Sequence, residues 1–333
     1  MIKKTTTIIG LTLISLLLFG CRRGGETSTS SISTTTNTSQ TTGSASSSSG
    51  TSSRSDTSFT GTTSSVTSSG TSSTSHTTSS HSTSSEPEPG NYYASIGDSL
   101  SGDSLRKALH TLNEDHLKSL VTYEGMKTFG PICDANPDNP NEMIGFYDNA
   151  RLPAKWDSAK TWNREHVWPN ARGGDRVEDD AFMPRPCSTK INSSRGSKGY
   201  GFASYDPYTD SKITNKVAYY RGVCARIVFY CMIANLNLKL SDDIFDKDYG
   251  SGSPKDTMAT ISDLLQWNLD YLPTNTSFGA EDDLARRVEI NRNEVIYSHK
   301  DGQGNRNPFV DHPSYACRIW GTYNNKTRSI CGM

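Results

Sequence analysis

A short segment in the middle of the chain contains residues whose types and spacing suit acid–base chemistry. Glu165 and His166 are adjacent in the stretch N-R-E-H-V-W-P, and Asn192 follows in I-N-S-S-R-G. A histidine has an ordinary pKa of about 6.5, so it is largely neutral at physiological pH and can act as a general base. Glutamate and asparagine offer the hard oxygen ligands that Mg²⁺ prefers, and Mg²⁺ usually keeps several waters beside one or two protein ligands. We therefore expect His166 as the base and Glu165 and Asn192 as ligands of Mg²⁺ or another divalent cation.

Arginines near this segment indicate a substrate that carries phosphate. Arg172 and Arg176 follow the Glu-His pair, and Arg195 ends I-N-S-S-R. The negative charge of a phosphodiester repels attacking water, so a hydrolase needs a base for the water and a cation for the departing oxygen. We expect these three arginines to contact phosphate. Taken singly, a Glu-His pair on a strand also fits a surface ion pair, and an asparagine near a helix start also fits a helix cap.

The elements that must position these residues are predicted from apolar periodicity and from turn residues. The predicted helices outnumber the predicted strands. We therefore expect an α+β fold, formed by a single, mostly helical domain. The predicted helices cover residues 102–120, 217–236, about 256–269 and about 281–300. The predicted strands cover 143–147 and 161–168, and residues 134–142 are predicted to form a loop.

The amino terminus has the pattern of an export signal. Residues 1–21 begin with Lys3 and Lys4, continue through an apolar stretch over 8–19, and end L-F-G-C. An apolar stretch of about 12 residues is too short to span a bilayer comfortably. The ending resembles the bacterial lipobox, in which the cysteine, here Cys21, becomes the lipidated first residue. We expect an exported protein that is anchored by lipid to the outer face of the cell membrane, or secreted. An ordinary secretory signal or a short membrane anchor is the alternative.

Composition divides the rest of the chain into a linker and one folded domain. Residues from about 26 to 85 consist almost entirely of Ser, Thr and Gly, a composition that predicts a disordered spacer over 22–90. Residues 91–333 are enough for one domain with a sizeable core, which we expect to be a monomer. The net charge of −1 argues against a protein that coats nucleic acid through overall positive charge, but it permits a local basic cleft.

The cysteines agree with export. If Cys21 carries lipid, six cysteines remain, an even set that allows 15 disulfide connectivities. Cys224 and Cys231 are predicted to share a helix, where they would lie too far apart to bond to each other. Disulfides and free buried thiols both remain open for this set. No C-x-x-C spacing supports a metal site formed by cysteine.

Beyond single residues, the chain resembles the bacterial endonuclease I family of exported nucleases, which belong to the His-Me finger (ββα-metal) group. The resemblance covers nearly the whole domain. It includes the stretches N-R-E-H-V-W-P, I-N-S-S-R-G-S-K-G-Y-G and Q-G-N-R-N-P-F-V-D-H-P. It implies a general base at His166, a divalent metal on Glu165 and Asn192, an arginine that stabilises the phosphate, and cleavage of DNA, and in some members RNA, with little sequence preference.

One stretch departs from the family pattern. Where members commonly read D-x-H-H-L or D-x-H-N-L, this chain has Phe182, Met183 and Pro184 after Asp180. Loss of a side chain that orients a metal ligand can lower metal affinity or activity roughly 10- to 100-fold. The alternative to an active nuclease is therefore a weakened nuclease fold that acts as a nucleic-acid-binding or adhesion module on the cell surface. A zinc protease has no support, because the chain lacks H-E-x-x-H.

Overall fold

The domain is built from helices around three small sheets, which confirms the α+β class. The computed structural model describes residues 92–243 and 255–333, so the expectations for residues 1–21 and for the 22–90 linker lie outside the described residues. The helices of the described chain are α1 (Gly102–His116), α2 (Met126–Cys133), α3 (Thr189–Arg195), α4 (Tyr220–Ala234), α5 (Ile261–Asp270), α6 (Ala280–Ser298), α7 (Pro308–Asp311), α8 (Ser314–Trp320) and α9 (Asn325–Ile330).

The strands pair over short distances along the chain. They are β1 (Ala135–Asn136), β2 (Asn139–Ile144), β3 (Arg151–Pro153), β4 (Trp162–His166), β5 (Pro184–Ser188), β6 (Lys239–Ser241) and β7 (Thr257–Ala259). The β1-β2-β3 sheet and the β4-β5 pair are antiparallel, whereas β6 and β7 pair in parallel. In the β4-β5 pair Glu165 lies opposite Arg185 and His166 opposite Pro184. Helix α3 follows β5 directly and packs against both strands.

The core is centred on α4. Its residues are buried on nearly every side, as the continuous apolar run predicted, and α1 and α5 pack against it. Arg226 of α4 is fully buried and forms a double hydrogen bond with Glu289 of α6, at 2.7 Å for each nitrogen–oxygen pair. This pair therefore fixes α6 against the central helix.

Several predicted boundaries differ from the observed ones. Helix α1 ends at His116 rather than near residue 120, because Leu117 has extended backbone angles. The predicted loop over 134–142 contains β1 and most of β2, a polar hairpin without the apolar alternation that would mark it. Helix α5 starts at Ile261, because residues 257–259 pair with β6 instead. That pairing is set by a distant segment, which local periodicity does not detect.

The cysteines are partly bonded and partly free. Cys317 of α8 and Cys331, which follows α9, form a disulfide. In the described chain Cys133, Cys187, Cys224 and Cys231 are free and buried. Cys224 and Cys231 share α4 and do not bond to each other, as expected. The described residues contain no helix that is both long and apolar enough to cross a membrane.

Candidate active site on strand β4 and helix α3

The two faces of β4 carry different chemistry. Successive side chains of a strand point to opposite faces, so Asn163 and Glu165 share one face and Arg164 and His166 share the other. Helix α3 covers the first face, where Asn163 and Glu165 contact its side chains. On the second face the rings of Tyr123 and His166 are 4.6 Å apart. A phosphate that reaches both Glu165 and His166 must therefore lie across the end of the strand.

Glu165 is buried in a polar setting. The hydroxyl of Tyr147 donates to Glu165 Oε1 at 2.8 Å, and Arg195 Nε lies 3.0 Å from the same oxygen as an ion pair. Tyr147 is linked in turn to the Tyr200 hydroxyl at 2.6 Å. Burial raises the pKa of Glu165 to about 7, although Arg195 and the Tyr147 hydrogen bond favour the carboxylate. The carboxyl is thus held in place but charged only near neutral pH and above.

Asn192 lies on the same side of β4 as Glu165. Its Nδ2 donates to Asn163 Oδ1, two positions before Glu165 in the strand. Among the described residues, Asn192 Oδ1 and Glu165 Oε2 accept no hydrogen bond, because the contacts of these side chains use Asn192 Nδ2 and Glu165 Oε1. Each proposed ligand thus keeps one hard oxygen that accepts no hydrogen bond from the described residues, and oxygens of this kind suit a cation such as Mg²⁺. No group of three His, Cys, Asp or Glu side chains suited to a metal occurs in the described chain.

His166 ends β4 and is oriented by a carboxylate. Its Nε2 is 3.1 Å from Glu178 Oε2. A carboxylate can only accept, so Nε2 carries the proton and Nδ1 is the basic nitrogen. The side chain is 16% exposed, and this burial lowers its pKa against the opposing effect of Glu178. His166 is therefore neutral at physiological pH, as a general base must be.

The three arginines lie in different environments. Arg195 is fully buried, and its two terminal nitrogens donate to Gly196 O at 2.8 Å and Val167 O at 2.9 Å. It reaches the site through Glu165 and is a positioning residue. Arg172 is also fully buried and donates from Nε to Ser197 O at 2.8 Å.

Arg176 is the exposed member of the three. Its side chain is 39% exposed, and its Nη2 is 3.1 Å from Asp256 Oδ2. No contact joins it to Glu165, His166 or Asn192 within the described part of the chain. It is therefore the arginine that could meet an external phosphate without rearrangement of the core.

The turn between β4 and β5 depends on glycine. Two short 3₁₀ turns, Asn170–Arg172 and Gly174–Arg176, lead the chain away from the strand. Gly173 has a φ of +86°, and a Cβ at Gly174 would lie 1.9 Å from the carbonyl oxygen of Trp168. These glycines let the chain fold back closely and bring Glu178 beside His166.

Sequence patterns did not identify four residues that complete the site. Glu178 orients His166, Asn163 orients Asn192, and Tyr147 and Tyr200 link to Glu165. Asn163 is part of the N-R-E-H stretch, and its position two residues before Glu165 could have suggested a shared face. Tyr147 and Glu178 carry no comparable signal, because their roles depend on tertiary contacts.

The departure at Phe182 and Met183 lies in the core rather than in the site. Both side chains are buried, and the Phe182 ring packs against Tyr230 at 4.5 Å between centroids. Asp180 is held by Tyr230 and Gln303, at 2.7 and 2.8 Å. The orienting contacts of His166 and Asn192 are instead made by Glu178 and Asn163. The substitution at Phe182 and Met183 therefore removes no contact of His166 or Asn192.

Replacing Asn192 by alanine tests the metal-ligand assignment. We expect the metal concentration for half-maximal cleavage to rise at least roughly 10-fold, since even outer partners of metal ligands typically contribute 10- to 100-fold. Ser193→Ala is the matched control, because Ser193 is the next residue of α3 and its hydroxyl only donates to Thr189 O. Metal titrations of cleavage on both variants make the measurement. An unchanged titration for Asn192→Ala would move the ligand to another residue.

Comparisons with known proteins identify the family of the chain. The family model for endonuclease I matches residues 101–314, a segment that contains every residue proposed above for the site. The extracellular ribonuclease of Bacillus amyloliquefaciens is 30% identical over 240 residues, which span 68% of this chain and 78% of the relative. The extracellular ribonuclease of Bacillus subtilis (strain 168) is 28% identical with the same coverage. No solved structure gives a significant match. The matched segment covers more than half of the chain, and the protein belongs to the endonuclease I family.

Proposed function

We propose that this protein is an exported, metal-dependent endonuclease that hydrolyses phosphodiester bonds of RNA and DNA with little sequence preference. The observation that carries the proposal is the arrangement around β4. A buried Glu165 and an Asn192 with a free carbonyl oxygen share one face, and a carboxylate-oriented His166 ends the strand. Acid–base and metal-ligand groups thus converge on the end of one strand. The order β4, β5, α3 supports a ββα-metal motif.

In this proposal His166 activates water. Nδ1 removes the proton from a water molecule as the oxygen attacks phosphorus, and Nε2–H remains bonded to Glu178, which offsets the positive charge that develops on the imidazole. Glu165 and Asn192 would hold the divalent metal. A bound Mg²⁺ would supply stabilisation of the negative charge on the phosphate and on the departing 3′-oxygen. Cleavage between phosphorus and that oxygen leaves a 5′-phosphate and, once the departing oxygen takes a proton from solvent, a 3′-hydroxyl.

Arg195, Arg172 and Arg176 have separate roles in the proposal. Arg195 keeps the buried Glu165 in one position, and Arg172 supports the segment that follows α3 through Ser197. Arg176 supplies positive charge to the approaching phosphodiester. Its ion pair with Asp256 is partly exposed and can exchange for a phosphate contact at little cost.

RNA is included as a substrate because both matched relatives are named extracellular ribonucleases. Those names also support export, as does the signal pattern of residues 1–21. We retain lipid attachment at Cys21, the 22–90 spacer, the 91–333 catalytic domain and a monomeric state as parts of the proposal. The spacer would keep the domain away from the membrane while it acts on external nucleic acid.

A nicking assay tests the proposed activity. The mature protein is incubated with supercoiled plasmid and, in parallel, with single-stranded RNA, in Mg²⁺ or in EDTA. Cleavage of both substrates in Mg²⁺ and of neither in EDTA is the expected result. If the folded protein binds nucleic acid but cuts neither substrate with any divalent metal tested, the result would instead support a binding module.

The dependence of cleavage on pH should change with metal concentration. The pKa of Glu165 is raised to about 7, so a proton occupies the carboxyl below that pH and a metal must displace it. Apparent metal affinity should then fall roughly tenfold for each pH unit below about 7. The pKa of His166 is lowered, so the imidazole stays neutral at lower pH than an ordinary histidine. Raising the metal concentration should move the acid limb of kcat/KM to lower pH. If the acid limb of kcat/KM stays at the same pH over a 100-fold range of metal concentration, proton and metal do not compete for Glu165.

A further inference from the structure

Two large aromatic side chains are exposed on the loop between α3 and α4. Phe202 is 56% exposed and Tyr208 is 39% exposed, although most large aromatic residues of the described chain are buried. Clustered exposed apolar side chains often mark an interaction site, whereas single ones are ordinary. The loop therefore needs an explanation beyond packing.

Arg221 of α4 holds both rings. Its guanidinium carbon is 5.3 Å from the centre of the Phe202 ring and 4.8 Å from that of Tyr208. The edge of the guanidinium is bound by Asp206, at 2.9 Å from Nε to Oδ1 and 2.5 Å from Nη2 to Oδ2. The cation is thus fixed before any ligand arrives, and it orders two rings that remain partly exposed.

The backbone at Phe202 is also fixed. Its N–H donates to Asp263 Oδ2 at 2.9 Å, and its ring meets Trp267 edge-on with 5.5 Å between centroids. Gly201 has a φ of +144°, and a Cβ there would lie 2.2 Å from Thr260 Oγ1. The chain can approach α5 this closely only because residue 201 is glycine. Phe202 is therefore presented by a rigid support rather than by a loose loop.

The same loop is joined to the proposed active site. Tyr200, two residues before Phe202, packs on Arg195 with 4.7 Å from its ring centre to the guanidinium carbon. Its hydroxyl is linked to Tyr147, which donates to Glu165. The loop segment that presents Phe202 is therefore connected to Glu165 through buried side chains.

The charge of this region suits a polyanion. Residues 189–221 contain six basic and two acidic side chains, in a chain whose net charge is −1. One basic and one acidic group, Arg221 and Asp206, neutralise each other. Arg195 pairs with the buried Glu165, so the remaining excess comes from Lys190, Lys198, Lys212 and Lys216 against Asp210. Aromatic rings within a basic surface are the usual means of binding single-stranded nucleic acid, because every base has a π face.

We propose that Phe202 and Tyr208, ordered by Arg221, form a stacking subsite for an unpaired nucleobase of a single-stranded substrate. This inference rests on the proposed nuclease function and adds a substrate preference to it. A duplex keeps its bases stacked inside, so it gains nothing from the rings. Single-stranded RNA, and single-stranded DNA, should therefore bind more tightly than duplexes of the same length.

Binding without cleavage provides the test. Fluorescence anisotropy in EDTA measures the affinity of the mature protein for labelled single strands of about 12 nucleotides, within the range that such surfaces cover, and for the matching duplex. Phe202→Leu and Tyr208→Leu keep apolar bulk but remove the π face. Tyr323→Leu is the matched control, because Tyr323 is 51% exposed on the turn between α8 and α9. Thermal unfolding of each variant verifies that it is folded.

We expect Phe202→Leu to weaken single-strand binding on the order of 10-fold, a typical effect of losing one base–aromatic stack. Phe202→Trp keeps an aromatic face and should bind single strands as tightly as the parent protein. Duplex binding and Tyr323→Leu should show little change. A series of single strands, each lacking the base at one position, tests the same contact from the side of the ligand. The strand that lacks the stacking base should bind the parent protein weakly, and Phe202→Leu should not weaken its binding further. In Mg²⁺ the variant should raise KM for single-stranded RNA and leave kcat nearly unchanged.

Different outcomes separate this inference from the proposed function. If the parent protein cleaves RNA but Phe202→Leu and Tyr208→Leu bind single strands normally, the subsite is wrong and the nuclease stands. Equal losses on single strands and duplexes would also overturn the subsite. If the folded parent protein neither binds nor cleaves nucleic acid, both proposals fail.

Discussion

Replacing His166 by alanine should lower the rate of cleavage by roughly 10²- to 10⁴-fold, the usual contribution of a general base. The imidazole is neutral and oriented, with Nδ1 as its basic nitrogen, and alanine cannot take its place. The free energy of unfolding should change by about 1 kcal/mol or less, because the partly exposed Glu178 can be hydrated once its partner is lost. Single-turnover cleavage at saturating Mg²⁺ is the appropriate measurement, since it isolates the chemical step.

His299→Ala is the control for this variant. His299 lies after α6, is partly exposed, and has a carboxylate partner in Asp301. Its loss should leave cleavage unchanged. Residual activity of His166→Ala within a few-fold of the parent protein would exclude His166 as the base. Glu178→Gln keeps a hydrogen-bond acceptor without the charge, so it should give an intermediate rate if Glu178 stabilises the protonated imidazole.

The buried pair of Glu165 and Arg195 predicts the largest change in stability. Removing one partner leaves the other charge buried, which typically costs about 3–5 kcal/mol of unfolding free energy. Both side chains are almost completely inaccessible to solvent, so water cannot compensate. Arg195→Met and Glu165→Gln should each be destabilised on this scale. The double variant should regain most of the loss because neither charge remains, yet it should not bind metal or cleave.

Arg226 and Glu289 provide a matched pair that is buried but remote from the site, between α4 and α6. Arg226→Met should show a similar loss of stability and an unchanged Mg²⁺ titration below its melting temperature. Denaturant unfolding and metal titration on both sets of variants make the comparison. If the Glu165→Gln variant keeps normal metal dependence while it remains folded, Glu165 is structural and the ligand assignment is wrong.

Sequence patterns within a single segment predicted several helices and the strand that carries the site. The apolar run of α4, the long polar-faced α6 and the strand that carries N-R-E-H were all predicted, and their limits shifted by only a few residues. The continuous apolar run of α4 is the clearest of these patterns. The β1-β2 hairpin and β7 were missed, because the first is polar and the second is formed by pairing with β6.

The chemistry of the candidate site was only partly predictable. The motif suggested His166, Glu165 and Asn192, and in the structure Asn192 of α3 contacts the face of β4 that carries Glu165. Sequence did not indicate that Arg195 is wholly buried, because burial of a charged side chain depends on its partner in the fold. The same limit applies to the cysteines, where the pairing of Cys317 with Cys331 was one of many possible connectivities.

The chemical nature of the RNA ends produced by the parent protein tests the account most directly. Mass spectrometry of fragments from a short single-stranded RNA distinguishes attack by water from attack by the neighbouring 2′-hydroxyl. Water activated by His166 predicts 5′-phosphate and 3′-hydroxyl ends that form in Mg²⁺ and not in EDTA, with the same polarity on DNA. Fragments with 2′,3′-cyclic phosphate and 5′-hydroxyl ends, formed equally in EDTA, would contradict metal-dependent hydrolysis at this site.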